Sequence, residues 1–267
     1  MKIFDCVTFF EENRLMNLRF NILNNYVDHF IVCEGKYDHQ GRKKKINFNK
    51  NDYSKFKKKI THLIVDKFPN NLTPWERQAF QRERILTKIK KADDEDLILF
   101  SDPDEIPNLK NLRKINYKKK YIIFLKNLFY YKLNIKEVEL GNNWEGTRGC
   151  LKKNLKSIDY MRQKVVKKNL KYGFWRIDKE KNLQIVENGG WHFSYLLTPL
   201  EIRRKIKTFA HTELNKKKFT NLKNIKYCIK NLKDLFHRKI KYKKVQIDSS
   251  YPKYIIKNKK KLSKWIA

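Results

Sequence analysis

The first hundred residues alternate short apolar runs with longer segments of helical character, and this alternation restricts the fold more than any other feature. Runs rich in β-branched and aromatic residues predict strands, and apolar residues near helical spacing predict helices. In chain order the segments are strand 3–10, helix 12–26, strand 27–35, strand 62–69, helix 73–92 and strand 96–100. This order predicts an α/β fold with a mostly parallel central sheet flanked by helices.

The second half of the chain is less regular, and it contains neither an internal repeat nor a convincing linker. We expect an aromatic, strand-like stretch at 121–135, a turn-rich loop entering a strand at 141–151, and a strand followed by a helix within 189–214. Residues 215–245 are rich in Lys and Asn and predict helices with exposed faces. We therefore predict a single domain over residues 1–245 and a basic C-terminal extension over 246–267 that packs on it or follows it.

Composition fits a folded protein that is not membrane-spanning. The chain has 267 residues, of which 40% are hydrophobic, so it is long enough to bury a core. No run of eighteen apolar residues exists, which predicts no transmembrane helix. Four widely spaced cysteines form no CxxC pair and are typical of reduced cysteines in a cytosolic protein.

The formal net charge of +35 has two interpretations. It would attract polyanions such as nucleic acid or anionic lipid headgroups. It would equally follow from the coding bias of an AT-rich genome, since Lys dominates over Arg and is spread along the chain in short runs, whereas nucleic-acid sites favour Arg. The sequence leaves both interpretations open.

An acidic cluster stands at the end of an apolar strand in this basic chain. The stretch DLILFSDPDEIPNLK places Asp102, Asp104 and Glu105 within four positions. Carboxylates at alternating positions project to the same side, and hard cations such as Mn²⁺ and Mg²⁺ bind carboxylates together with substrate phosphates. The cluster indicates a metal site, although the same acids would fit a turn around Pro103.

Other acids follow neighbouring strands of the predicted sheet. Glu12 comes after the first strand and Glu34 ends the second. Ligands of parallel α/β sheets bind beyond the carboxyl ends of the strands, so we expect these acids to meet the acidic cluster at one edge.

The stretch GGWHFSY, residues 189–195, is the second candidate site. Its two glycines permit a close backbone approach, Trp191 offers a stacking face, and His192 offers a metal ligand or a hydrogen-bond donor. A buried Trp and a satisfied core His at the start of a strand would give the same pattern.

Two stretches taken together resemble glycosyltransferase family 17, the β-1,4-mannosyl-glycoprotein 4-β-N-acetylglucosaminyltransferase family. The first is SDPDEIPNL, and the second, some eighty residues later, is GGWHFSYL followed by TP, KI and FAHTE. The N-terminal strand–helix–strand, WERQAFQRERIL, WEGTRG and the C-terminal YPKYIIKNKKKLSKW are also similar to that family. The resemblance covers nearly the whole chain. It implies a GT-A-like, Rossmann-type fold, a UDP-sugar donor with UDP-GlcNAc as the default, a divalent metal (Mn²⁺ or Mg²⁺) and inversion at the anomeric carbon.

The resemblance also implies roles for individual residues. The predicted metal ligands are Asp102, Asp104 and His192, and the predicted donor-binding residues are Glu12, Glu34, Arg82 and Trp191. One direct displacement needs a general base, for which the candidates are Glu187, just before GGWH, and Glu213 in FAHTE. Glu105, which follows the two aspartates in the acidic motif, is a further catalytic candidate. Glu187 is preferred for its position beside the predicted site.

The location and acceptor follow from a departure from the family. Its animal members carry a membrane anchor, and here the sequence begins directly at the first strand. We therefore expect a cytoplasmic enzyme, in peripheral contact with the anionic inner membrane face, that glycosylates a glycan or a lipid-linked oligosaccharide. No specific nucleic-acid partner is expected.

Three alternatives stay open at this point. A basic nucleic-acid-binding protein without transferase activity would bind DNA or RNA in a strongly salt-dependent manner. A metal-dependent nuclease would use the same acids but gives no reason for Glu34, Arg82 and GGWHFSY to occur together. A degenerate family member would bind sugars without turnover, although the intact Asp-x-Asp motif and His192 argue against it.

Overall fold

A computed structural model describes residues 1–139, 141 and 143–267, and it confirms the α/β fold with a large central sheet flanked by helices. The strands are β1 (Ile3–Phe9), β2 (His29–Gly35), β3 (Ile60–Val65), β4 (Leu97–Ser101), β5 (Glu105–Pro107), β6 (Tyr121–Tyr130), β7 (Ile135–Glu137), β8 (Trp144–Leu151), β9 (Leu183–Val186), β10 (Gly190–Ser194) and β11 (Tyr242–Lys244). The helices are α1 (Asn13–Leu23), α2 (Pro74–Arg84), α3 (Leu86–Ile89), α4 (Ile158–Gln163), α5 (Pro199–Thr208), α6 (Lys217–Thr220), α7 (Leu222–Lys230) and α8 (Lys253–Lys257).

The first half of the chain forms a parallel unit. Strands β4, β1, β2 and β3 lie side by side in that order, and each neighbouring pair is parallel. The residues of β1 and β4 are buried on both faces, which suits a sheet covered by helices on both sides. All four carboxyl ends therefore meet at one edge.

The second half of the chain extends this sheet with both parallel and antiparallel strand pairs. Strand β8 pairs antiparallel with β4 and with β6, and β6 pairs parallel with β9 and then with β10. The short β5 pairs antiparallel with β10 and places His192 opposite Glu105. This pairing brings the two sequence motifs side by side, although about ninety residues separate them.

Helix α2 begins as its sequence indicates. The Thr73 side chain accepts a hydrogen bond from the backbone N–H of Glu76, and the Glu76 carboxylate accepts one from the backbone N–H of Thr73. The predicted helix over 73–92 is divided into α2 and α3 at Ile85. Gln81 and Arg82 are the buried residues of α2, so this helix presents a polar face to the sheet.

Hydrophobic clusters cover both faces of the sheet. One contains Phe20 of α1 and the β10 residues Trp191 and Phe193, and the other contains Ile85 and Ile89 from the α2–α3 region. The four cysteines are free and buried.

The C-terminal residues pack on the α/β domain. Ile255 of α8 is completely buried, and the Arg14 guanidinium lies 3.5 Å from the centre of a Trp265 ring. The backbone N–H of Ala267 donates to the Asn134 side-chain oxygen at 2.7 Å. Among the residues that the structure describes, no helix is long and apolar enough to cross a membrane.

Candidate active site

A cavity of about 370 Å³ opens at the edge where the parallel strands end. Residues that follow β1, β2 and β4, the ends of β6 and β10, and side chains of α2 and α5 line it. Its charged lining residues are Glu12, Asp38, Lys44, Asp102, Asp104, Glu105, Lys205 and Arg238. The cavity thus occupies the edge that strand order assigns to ligands.

The acid turn, residues 102–105, is held to the sheet by a buried ion pair beneath it. Arg19 of α1 donates to both carboxylate oxygens of Asp5 at 2.6 Å and to the carbonyl oxygen of Glu105 at 2.9 Å. The Arg19 side chain has no exposed surface. A buried guanidinium is costly unless it is fully paired, so this pair fixes the position of the turn rather than binding a ligand.

Arg162 of α4 joins two acids of the turn. It donates to Asp102 Oδ2 at 2.6 Å and to Glu105 Oε1 at 2.9 Å, and the indole N–H of Trp144 donates to the same Glu105 oxygen at 2.9 Å. Burial would raise the pKa of Glu105, but the charges of Arg162 and Lys126 lower it to about 2. Glu105 is therefore an ion-paired carboxylate, which makes it a poor general base.

Lys205 of α5 and His192 of β10 flank the third acid. Lys205 Nζ lies 3.3 Å from Asp104 Oδ2, and His192 Nε2 lies 3.5 Å from Asp104 Oδ1. Lys205 Nζ also lies 3.6 Å from Glu12 Oε1. Burial would raise the pKa of Asp104, but Lys205 and His192 hold it well below its usual range. Burial would lower the pKa of Lys205, and Asp104 and Glu12 raise it instead, so both groups stay charged near neutral pH.

The predicted metal ligands meet in this cavity, but as arranged they do not form a metal centre. Among the described residues, no three His, Cys, Asp or Glu side chains are grouped to hold an ion. The carboxylate oxygens of Asp102 and Asp104 face Arg162 and Lys205 instead. Two carboxylates and an imidazole suit a hard divalent cation chemically, but the cation would have to displace these basic groups. The residues thus do not fit a bound metal in this arrangement.

Strand alternation separates the two residues that the GGWHFSY motif offered to a ligand. His192 and Ser194 line the cavity, whereas Trp191 and Phe193 point into the core on the other face of β10. Trp191 is buried, and its indole N–H donates to the carbonyl oxygen of Ser250 at 3.2 Å. The ring of Trp191 therefore lies in the core, and the structure does not bring it to the cavity where the predicted stacking on the donor would occur.

A close backbone contact explains one glycine of the same motif. Gly190 has a φ of +143°, and a Cβ added to it would lie 2.2 Å from the carbonyl oxygen of Ile106 in β5. No other residue type fits this pairing of β5 and β10, which joins the acid turn to His192.

Glu34 also has a different role from the predicted one. Its side chain is fully buried and accepts hydrogen bonds from Lys44 Nζ and from the backbone N–H groups of Asn47, at 2.8 Å, and Phe48, at 3.0 Å. His62 Nε2 lies 3.4 Å from the second oxygen. Glu34 is not among the cavity-lining residues. It fastens the segment that follows β2 to the sheet, so the structure does not bring this predicted donor-binding residue to the cavity.

The remaining predicted residues lie at or outside the margin of the cavity. Arg82 is buried behind the acid turn, where it donates to Asp159 at 2.9 Å and approaches Asp102 at 3.7 Å. Glu213 is exposed and pairs with the rim residue His211 at 2.7 Å. Glu187 is exposed in the turn after β9 and is not among the described lining residues, so the structure does not bring this preferred base to the cavity.

Sequence reasoning missed His39, which follows β2 and lines the cavity. Its Nε2 lies 2.9 Å from Gln81 Oε1, and Gln81 Nε2 donates to the carbonyl oxygen of Cys33 at 2.8 Å. Because this second bond assigns Gln81 Oε1 as an acceptor, a neutral His39 carries its proton on Nε2, and its Nδ1 lone pair has no hydrogen-bond donor among the described residues. Burial lowers the pKa of His39, although the hydrogen bond that His39 donates to Gln81 acts to raise it.

The sequence model of glycosyltransferase family 17 matches residues 1–246. This chain belongs to glycosyltransferase family 17. None of the curated proteins compared matches it. A solved structure described as a glycosyltransferase involved in the glycosylation of the major capsid of PBCV-1 is similar at 11% identity and a TM-score of 0.32, over 70% of this chain and 82% of that chain. The family assignment makes the protein a glycosyltransferase, and the cavity is its candidate active site.

Proposed function

We propose that this glycosyltransferase transfers a sugar from a UDP-sugar, with UDP-GlcNAc as the first choice, to a glycan or lipid-linked glycan with inversion at the anomeric carbon. The observation that carries the proposal is the cavity at the strand ends, where the acid turn lies beside Lys205 and several aromatic rings. Its volume of about 370 Å³ suits a small ligand.

Two cations of the cavity are suited to the diphosphate of the donor. Lys205 is held by Asp104 and Glu12, and Arg238 donates to Asp234 Oδ1 at 2.6 Å and to the Tyr130 hydroxyl at 2.7 Å. Such fixed charges stabilise developing negative charge without reorganising during the reaction. The rings of Trp144 and other lining aromatics offer faces for the base or sugar.

The reaction is a single displacement. The acceptor hydroxyl oxygen forms a bond to the anomeric carbon while the bond from that carbon to the UDP oxygen breaks, and the electron pair leaves with the diphosphate near Lys205. Attack from the face opposite UDP inverts the anomeric carbon. The family resemblance implies dependence on Mn²⁺ or Mg²⁺, which the comparison of Mn²⁺ with a chelator below tests, and no step here uses a metal.

We assign removal of the acceptor proton to His39, because it lines the cavity with a free Nδ1 and is oriented by Gln81. Since the pKa of His39 is lowered, its basic form persists below the ordinary value of about 6.5. We expect kcat/KM to fall only as the pH drops below that value. His39→Gln should lower kcat by about 100-fold and remove this acidic limb. An unchanged limb in the variant would contradict the assignment.

A thermal-shift panel of nucleotide sugars, each with Mn²⁺ and with a chelator, tests the proposal. We expect UDP and one UDP-sugar to raise the Tm by about 5 °C near one hundred times their Kd. The effect should persist with the chelator, because Lys205 and Arg238 supply positive charge. A response only with Mn²⁺ would instead support a metal site at Asp102 and Asp104. Stabilisation by RNA or DNA and by no nucleotide sugar would favour the nucleic-acid-binding alternative.

A further inference from the structure

A surface loop whose residues are not among the cavity-lining ones carries the most exposed apolar side chains of the described residues. The basic-aromatic loop, residues 164–181, joins α4 to β9. The exposed fractions are 88% for Phe174, 69% for Trp175 and 94% for Ile177, higher than for any other large hydrophobic residue described. Leu170, at 47%, extends the same segment. An exposed apolar cluster of this kind typically marks an interaction site.

Hydrogen bonds within the loop hold the backbone that carries these exposed side chains. Lys181 Nζ donates to the carbonyl oxygens of Gly173 at 2.6 Å and Arg176 at 3.0 Å, which closes the loop on itself. Asn169 is buried at the base and donates to the carbonyl oxygen of Lys164 at 2.8 Å. The loop therefore holds its apolar residues outward, although the chain has a core that could bury them.

Basic residues surround these apolar side chains. The loop contains seven Lys and Arg residues and two acids. Asp178, one of the two acids, is paired with Arg176 at 2.7 Å and with Lys179 at 3.0 Å. The remaining positive charge is unbalanced within the loop. The ring of Tyr172 lies beneath three of these cations, Lys168, Arg176 and Lys179. Their charges are therefore close to the aromatic residues of the loop.

We propose that the basic-aromatic loop docks the protein peripherally on an anionic lipid bilayer. Phe174, Trp175 and Ile177 enter the headgroup region, where Trp is favoured because its ring is amphipathic. The surrounding Lys and Arg side chains pair with anionic headgroups. Charge and apolar surface act together here, since each alone gives weak, reversible binding. The proposal does not depend on the donor or on transferase activity.

Vesicle binding of the full-length protein tests this directly. Vesicles of phosphatidylcholine with about one-third phosphatidylglycerol provide the anionic surface, and pure phosphatidylcholine is the lipid control. We expect the wild type to cosediment with the anionic vesicles and to bind at least about tenfold more weakly to the neutral ones. Binding should weaken as salt is added, because the headgroup attraction is screened.

Substitutions separate the loop from the general basic charge. Phe174→Ser, Trp175→Ser and Ile177→Ser together should weaken binding at least about tenfold while leaving the Tm unchanged, because these side chains are exposed. The matched control is Lys57→Ala with Lys58→Ala, two exposed lysines next to β3, which should change binding by less than about twofold. Equal losses in both variants would overturn the proposal in favour of diffuse charge attraction.

Two further measurements complete the test. Trp175→Phe should bind with the wild-type affinity but lose most of the fluorescence quenching by brominated lipid, since Trp175 is the indole placed in the bilayer. Unchanged quenching in this variant would overturn the proposal. Sedimentation of the protein without lipid tests whether the loop instead binds a second copy of this chain. Dimerisation that the triple Ser variant abolishes would overturn the membrane proposal in favour of that contact.

Discussion

Glu34 and Asp104 occupy comparable places, since each follows or ends a strand whose carboxyl end meets the same edge of the sheet. Both are buried carboxylates with lowered pKa values. Glu34 accepts its hydrogen bonds from Lys44 and from the backbone N–H groups of Asn47 and Phe48, all in the segment that follows β2. Asp104 contacts Lys205 and His192, two residues from distant parts of the chain that also line the cavity.

The difference shows that a position at the ligand-binding edge is not enough to make an acid functional. The segment after β2 folds back over Glu34 and fills its hydrogen-bonding capacity with local groups. Among the described residues, the ion-pair partners of the Asp104 side chain are Lys205 of α5 and His192 of β10, from the other half of the chain, and Asp104 lines the open cavity. We therefore expect substitutions at the two sites to affect different quantities.

The largest expected effect is on catalysis at Asp104. Asp104→Asn keeps the shape of the side chain but removes the charge that positions Lys205 and His192. We expect kcat/KM, measured as UDP release, to fall by about 100- to 1000-fold. The Tm should stay within a few degrees of the wild type, because Lys205 keeps Glu12 as a second counter-charge. Steady-state UDP release from the donor identified by the thermal-shift panel measures this.

The control for that variant is an acid at the rim of the same cavity. Glu213 is exposed and pairs only with His211 among the contacts described for it. Glu213→Gln should change kcat/KM by less than about threefold, because an exposed ion pair contributes little. A loss as large as that of Asp104→Asn would restore Glu213 as a general-base candidate, and wild-type activity in Asp104→Asn would remove Asp104 from the site.

A smaller effect, on stability, is expected at Glu34. Glu34→Gln leaves the Lys44 ammonium without its buried counter-charge, so the free energy of unfolding should fall by about 1–3 kcal/mol. Urea unfolding measures this loss, and calorimetric titration should show unchanged UDP affinity. Weaker UDP binding without a loss of stability would break the distinction between the two acids and return Glu34 to the donor site.

The sequence predicts the first half of the fold well because its signals are local. Apolar strands and the capping box of α2 are read from neighbouring residues, and parallel pairing follows from the strand–helix alternation. The second half depends on pairings between distant segments, such as β10 with β6 and β5. Periodicity does not encode these partners, so the mixed strand directions there were not predicted.

The same limit applies to the candidate site. The acid turn and His192 are predictable because each lies in a motif that strand order sends to one edge. Arg162 has no such signal, since it is one of many basic residues and its partners Asp102 and Glu105 lie about sixty positions earlier. Lys205 lies within the stretch that resembles the family. Its position in the helical pattern of α5 does not indicate that its ammonium group contacts Asp104 and Glu12. Basic partners are hard to predict in a chain with 63 Lys and Arg residues.

The smallest expected effect concerns two tryptophans and sharpens the contrast between cavity and core. Trp144 lies with its ring centre 4.5 Å from that of His192 and donates to Glu105, whereas Trp191 packs in the core. Trp144→Phe should weaken UDP-sugar binding by about fivefold, because it loses the indole bond and ring area at the cavity wall.

Trp191→Phe should leave that affinity unchanged and lower the Tm instead, because it removes the bond to Ser250 and core volume. Calorimetric titration and thermal unfolding of both variants measure the two quantities. The reverse outcome, with weaker binding only in Trp191→Phe, would mean that β10 presents its other face to the ligand. His192 would then turn away from the donor, and the site would have to be rebuilt around the core-facing residues of that strand.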